Sequence, residues 1–133
     1  MEHFTLKKEE RLCSHTVIGK LFSEGESFFI FPFKVVFLIR LKDGLFPAQA
    51  AFAVPGKVCR RAVDRNAIKR KMRESYRLNK QILYGELKDH KVSVMFIYLG
   101  KEKKDVLKVP SVIPKCLSKL SGIILSKKSL SLN

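Results

Sequence analysis

No stretch of this sequence stays apolar long enough to suggest a membrane span. The amino-terminal MEHFTLKKEERL carries acids and no apolar h-region, so neither secretion nor insertion is expected and a cytoplasmic location is. Cys13, Cys59 and Cys116 are odd in number, widely separated and free of any Cys-x-x-Cys pair, which reads as reduced thiols. His3, His15 and His90 do not combine with them at metal-ligand spacing, so no metal ligand is assigned. Acids are scarce, 12 against 27 Lys and Arg, and Asp43, Asp64, Glu74 and Asp89 are scattered over turns, a helix start and a helix face. No paired carboxylates or His cluster stand ready to activate water, and no catalytic residue is expected in this chain. No internal repeat is visible.

Among the residues that are present, hydrophobic ones at 46% suit a folded core, and 133 residues suit one domain spanning 1–133, with 1–10 and 126–133 frayed. A net charge of +15 calls for a polyanionic partner, and without apolar runs nucleic acid is favoured over a membrane. On charge alone, histone-like packers, ribosomal or RNA-chaperone proteins and RNA-processing subunits all remain open. Nothing indicates an obligate protein partner.

In chain order, residues 4–6 tuck a charged leader against the domain, and Ser14 caps a short helix whose Val17, Ile18, Leu21 and Phe22 recur at helical spacing until Gly25. Residues 28–41 turn to strand, with Pro32 marking a break or an edge near the start and a short extra strand at 28–31 possible. Phe33, Val35, Phe37, Ile39 and Leu41 alternate onto one face, Lys34, Val36, Leu38 and Arg40 onto the other. Asp43-Gly44 signals a hairpin whose loop is lengthened by Pro47, and 48–54 returns with Ala50, Phe52 and Val54 on the core face. Gln49, Ala51 and Ala53 face the other way, small enough to leave room for a ligand or for a covering helix. A polar approach through Lys88 and Asp89 leads to a buried strand at 92–99, ended by Gly100 and KEKKD. A final helix covers 110–125, with Pro114 admitted in its first turn.

The most lopsided stretch is 57–80, KVCRRAVDRNAIKRKMRESYRLNK, where the cations are opposed only by Asp64 and Glu74. At 100° per residue Arg65, Asn66, Lys69, Arg70, Arg73, Arg77 and Lys80 share one arc, and Ile68, Met72, Tyr76 and Leu83 share its neighbour. The spacing predicts a helix over 61–83 with a core seam, a cationic flank, Asp64 in its first turn, and Gly85 as an αL stop. A solvated charged face is the plain alternative.

The run Val63-Asp64-Arg65-Asn66-Ala67-Ile68-Lys69-Arg70-Lys71-Met72-Arg73-Glu74 resembles the basic helix, with its Arg-Asn-Arg signature, of the bacterial ribonuclease P protein subunit. Val54-Pro55-Gly56-Lys57 resembles the strand end and turn that lead into it. The resemblance covers about 11–125 and is concentrated between 54 and 77. Ala67 replaces the last arginine of the signature, Cys59 stands where glycine is common with Arg61 added beside it, and Ile18 stands where phenylalanine is common.

The resemblance implies an α+β single-domain sandwich of α-β-β-(β)-α-β-α order, a mixed sheet with helices packed on it, and a left-handed βαβ crossover that general handedness rules would not suggest. It further implies docking of a catalytic RNA by Arg60, Arg61, Arg65, Asn66, Lys69, Arg70 and Arg73. Ile18, Phe22, Lys34, Val36, Arg40 and Lys57 would line a cleft for the single-stranded 5′ leader of precursor tRNA. Cleavage would then belong to the RNA, with Mg2+ held in the RNA active site of the holoenzyme. A self-sufficient protein nuclease would need a closer acidic group than this sequence offers.

Overall fold

The computed structural model describes residues 15–41, 48–87 and 90–132. Residues 4–6, the Ser14 cap, the Asp43-Gly44 hairpin, Pro47, Cys13, and Lys88 with Asp89 lie outside that set. The elements are α1 (His15–Glu24), β1 (Glu26–Ile30), β2 (Phe33–Leu41), β3 (Ala48–Ala53), α2 (Ala62–Asn79), α3 (Gln81–Leu87), β4 (His90–Tyr98), a 3-10 helix (Lys103–Lys108) and α4 (Val109–Leu132). One sheet runs β1-β2-β4-β3, antiparallel except that β3 lies parallel to β4 through the α2–α3 crossover. The chain is thus an α+β fold with a mixed sheet and helices packed on it.

Strand alternation sorts the side chains onto two unequal faces. Phe33, Val35 and Phe37 of β2 lie opposite Tyr98, Phe96 and Val94 of β4, and with Ala50 and Phe52 they face α2, α3 and α4. Phe52 stacks on Phe96 at 5.6 Å between centroids, and Tyr76 of α2 meets both rings edge-on. The opposite face carries Val36, Met95, Leu38, Ile97, Ala51 and Ala53, and α1 lies on it through Leu21 and Ile18. Part of the space that the small β3 residues leave is therefore taken by a helix of the same chain.

Several boundaries differ from those that sequence periodicity suggests. Residues 28–41 form two strands joined by a turn at Phe31 and Pro32, so the short extra strand is real and begins at Glu26. The long basic helix is two helices: α2 ends at Asn79, and the Lys80 carbonyl accepts from both Leu83 N–H (3.0 Å) and Tyr84 N–H (2.9 Å) to start α3. Gly85 stands inside α3 and ends nothing. Pro114 lies inside α4 beyond its first turn, where the acceptor left without an N–H is that of exposed Pro110, and α4 stays helical through Leu132 rather than stopping at 125.

KEKKD does more than end β4. Asp105 Oδ2 accepts from the Lys101 and Glu102 N–H groups, both at 2.9 Å, and the reciprocal Glu102–Asp105 capping box starts the 3-10 helix. Hydrogen bonds from the Glu102 backbone and then Lys101, with Lys108 nearby, hold the Asp105 carboxyl below the usual carboxylate range. Gly100 makes this junction possible: a Cβ there would lie 2.1 Å from the Tyr98 hydroxyl and 2.9 Å from Asp105 Cβ.

Candidate nucleic-acid interface

Residues 62–79 contain no glycine or proline, and their apolar seam places Ile68, Met72 and Tyr76 in the core. That burial fixes the rotation of α2, and the rotation decides which cations face water. Asn66, Arg70, Lys71 and Arg73 are exposed and Lys69 is half-buried. Arg77 pairs with Glu74 on the helix surface, and Arg61 approaches Asp64 at 3.8 Å with both side chains largely in water. Exposed pairs of this kind hold little energy, so they leave these cations available to a phosphate backbone.

Arg65 behaves differently from its neighbours. Its Nη1 donates to the carbonyl oxygens of Cys59 (3.1 Å) and Arg60 (2.7 Å), so the guanidinium fastens the turn that carries Arg60 and Arg61 into α2. A Pro55-centred turn precedes it, with Val58 and Cys59 N–H groups donating to the Pro55 carbonyl at 3.0 and 3.1 Å. Lys57 is exposed on this turn, and Arg60 and Arg61 follow it, also exposed. Ala67 and Arg61 both line a cavity of about 490 Å³ beside Tyr98 and Glu102. The arginine beside the turn thus borders the space next to the position where the signature arginine is missing. Cys59 is half-buried, and burial pushes the Cys116 thiol up to about 12, an inert core group.

On the opposite sheet face, Lys34 and Val36 lie in adjacent rows, paired with Ile97 and Met95 of β4, which in turn pair with Ala53 and Ala51 of β3. Lys34 is exposed, Ile18 is half-buried against the Leu21–Val36–Met95 cluster, and Phe22, one residue beyond Leu21, is 60% exposed. Val36 is only 5% exposed and sits with Leu21. It therefore anchors α1 on the sheet, and the leader contact expected of it is corrected to a supporting one, because a side chain under a helix cannot meet RNA. Of Arg40 the backbone alone is described: it pairs with Lys91, about 20 Å along β2 from Lys34 at strand rise. Lys57 lines another opening with Leu99 and Lys101, beyond the end of β4 that carries the Lys34 row. The structure thus puts Ile18 and Phe22 on α1, Lys34 in the Ile97–Ala53 row of the sheet face that α1 covers in part, Lys57 at that same end of the sheet, and Arg40 at the far end.

Sequence reasoning missed Phe29 and Phe31, which are 55% and 41% exposed at the sheet edge. The signal was parity: Phe28 and Ile30 turn to the core, so Phe29 must turn away.

Among the described residues, no three His, Cys, Asp or Glu side chains gather where they could hold a metal ion. No helix among those residues is long and apolar enough to cross a membrane.

The ribonuclease P family model matches residues 6–120. The chain is 33% identical over 121 residues to the ribonuclease P protein component of Porphyromonas gingivalis, covering 90% of this chain and 88% of that one. It is 48% identical over 110 residues to the protein component of Chlorobaculum tepidum, covering 72% and 68%. In structure it is similar to the RNase P protein from Thermotoga maritima, with a TM-score of 0.57, 25% identity, and 88% and 96% of the two chains covered. With a basic helix held open to solvent, an α+β sheet of matching build and relatives along most of its length, the chain belongs to the bacterial ribonuclease P protein family.

Proposed function

We propose that this chain binds two RNAs on opposite sides of one sheet: a catalytic RNA along α2 and its leading turn, and the 5′ leader of precursor tRNA on the face beside α1. Family membership makes it the RNA-binding protein subunit of the ribonucleoprotein that matures tRNA 5′ ends, with no bond-breaking assigned to its own side chains. This replaces the ribosomal, chaperone and self-sufficient nuclease alternatives.

The observation that carries the reading is the orientation of α2. Its apolar seam is buried while Asn66, Arg70, Lys71 and Arg73 are exposed to water. Arg60 and Arg61 extend that surface, and Arg65 serves it by fixing their turn. Around α1, Phe22 offers a ring face and Lys34 a charge, which suits an unpaired strand of variable sequence. Lys57 adds a second charge at that end. Magnesium belongs, in this reading, to the RNA, and no step runs through these side chains.

The test joins the purified chain to the catalytic RNA of the same cell and a precursor tRNA at low magnesium. Cleavage at the mature 5′ end should rise above that of the RNA alone. No stimulation under those conditions rejects the reading. Phe22→Ala should weaken precursor binding by about 1–3 kcal/mol and spare mature tRNA, whereas equal losses for both would remove the leader assignment.

A further inference from the structure

The rings of Phe29 and Phe31 lie 6.4 Å apart at a 58° tilt, exposed on and beside the edge strand β1. Phe29 pairs with Lys34 across the β1–β2 register, so its row continues through Lys34, Ile97 and Ala53 on the α1-side face. Lys108 Nζ stands 5.0 Å from the Phe31 ring centroid. The neighbouring rings of Phe28 and Phe33 are used by the core, so the open pair is not surplus from core packing. We propose that Phe29 and Phe31, flanked by Lys34 and Lys108, form a stacking platform for unpaired nucleotides of the RNA substrate lying beyond the α1 cleft.

Two adjacent aromatic faces bracketed by lysines satisfy both needs of a single strand, a π-face for each base and a cation for each phosphate. Neighbouring strands are about 4.8 Å apart, so the platform begins one strand outward from Lys34 and continues the same track. A second copy of this chain is the weaker occupant, because two molecules of charge +15 repel and the acid beside the patch, Asp105, is buried and paired with Lys108 at 3.6 Å. The platform rests on the leader reading above, and it adds the part of the leader farther from the cleavage point.

The experiment uses the holoenzyme with mature tRNA and precursor tRNAs whose leaders lengthen stepwise. The Phe29→Ala/Phe31→Ala double variant should lose about 5-fold or more in affinity for long leaders and nothing for mature tRNA or the shortest leaders. The chain has no tryptophan, so Phe31→Trp supplies a lone indole whose fluorescence should be quenched once the leader is long enough to reach it. A loss with Phe22→Ala but none with the double variant, or an indole indifferent to leader length, overturns the platform and leaves the cleft standing. A wild-type holoenzyme with no preference for precursor over mature tRNA overturns both. Self-association of the free chain that the double variant abolishes, with leader affinity unchanged, assigns the rings to a contact between copies and overturns the platform.

Discussion

The Arg65 guanidinium closes the connection between β3 and α2 through two backbone carbonyls, and truncating it leaves both acceptors to water. Arg65→Ala should lower stability by about 1–2 kcal/mol in urea titration and weaken catalytic-RNA binding with little change in its salt dependence. Arg73→Ala should do the reverse, leaving the urea midpoint in place and reducing the magnitude of the salt slope by about 0.7 to 0.9. A helical wheel puts Arg65 and Arg73 in one arc, because spacing reports direction and not acceptor. Only the path of the preceding turn separates their roles. Gly100 was equally silent: its need arises from the Tyr98 hydroxyl and Asp105 brought beside it. Gly100→Ala should cost about 1–3 kcal/mol, since the added methyl forces the buried Tyr98 ring to shift. Asp105 has a folded pKa below its unfolded one, so it adds stability above the ordinary carboxylate range, and that stability is lost as pH falls through the lowered value. Asp105→Ala should therefore flatten the acid limb of a stability-against-pH curve, and an unchanged limb would reject the role.

At the level of elements, α2 was legible where its seam is strong and illegible where it ends. Ile68, Met72, Tyr76 and Leu83 keep one helical phase, so periodicity alone runs straight through Lys80, where one helix gives way to the next and Leu83 joins the core from α3. Pro32 gave local notice of the β1–β2 turn, and the fold agrees. Met72→Ala, at a site fully buried between α2 and the sheet, should cost about 2–5 kcal/mol by thermal or chemical unfolding and reduce RNA binding only through the folded fraction. The β3 residues Ala51 and Ala53 left two occupants open, a helix or a ligand. Small side chains mark a space without saying who fills it, and here α1 takes part of it.

Across the whole molecule, strand order β1-β2-β4-β3 puts β2 and β4 in the middle and sends α2 and α1 to opposite faces. Chain order made a mixed sheet legible, but which strand lies at the edge depends on long-range pairing that no local pattern records. With a packed sheet between the two surfaces, Arg73→Ala and Phe22→Ala share no contact. Their effects on precursor binding by the holoenzyme should add within about 0.3–0.5 kcal/mol, and a larger departure would mean that the surfaces communicate.

Among the described side chains of α1, Leu21 alone is buried, whereas the other face is closed by three helices. One leucine's worth of burial is about 1.5–3 kcal/mol, so amides of α1 should exchange with solvent at a lower opening energy than those of β2 and β4 in hydrogen-exchange measurements. The two sides of the sheet thus differ in how firmly they are roofed: Leu21, with Ile18 half-buried beside it, holds α1 down on one side, and three helices close the other.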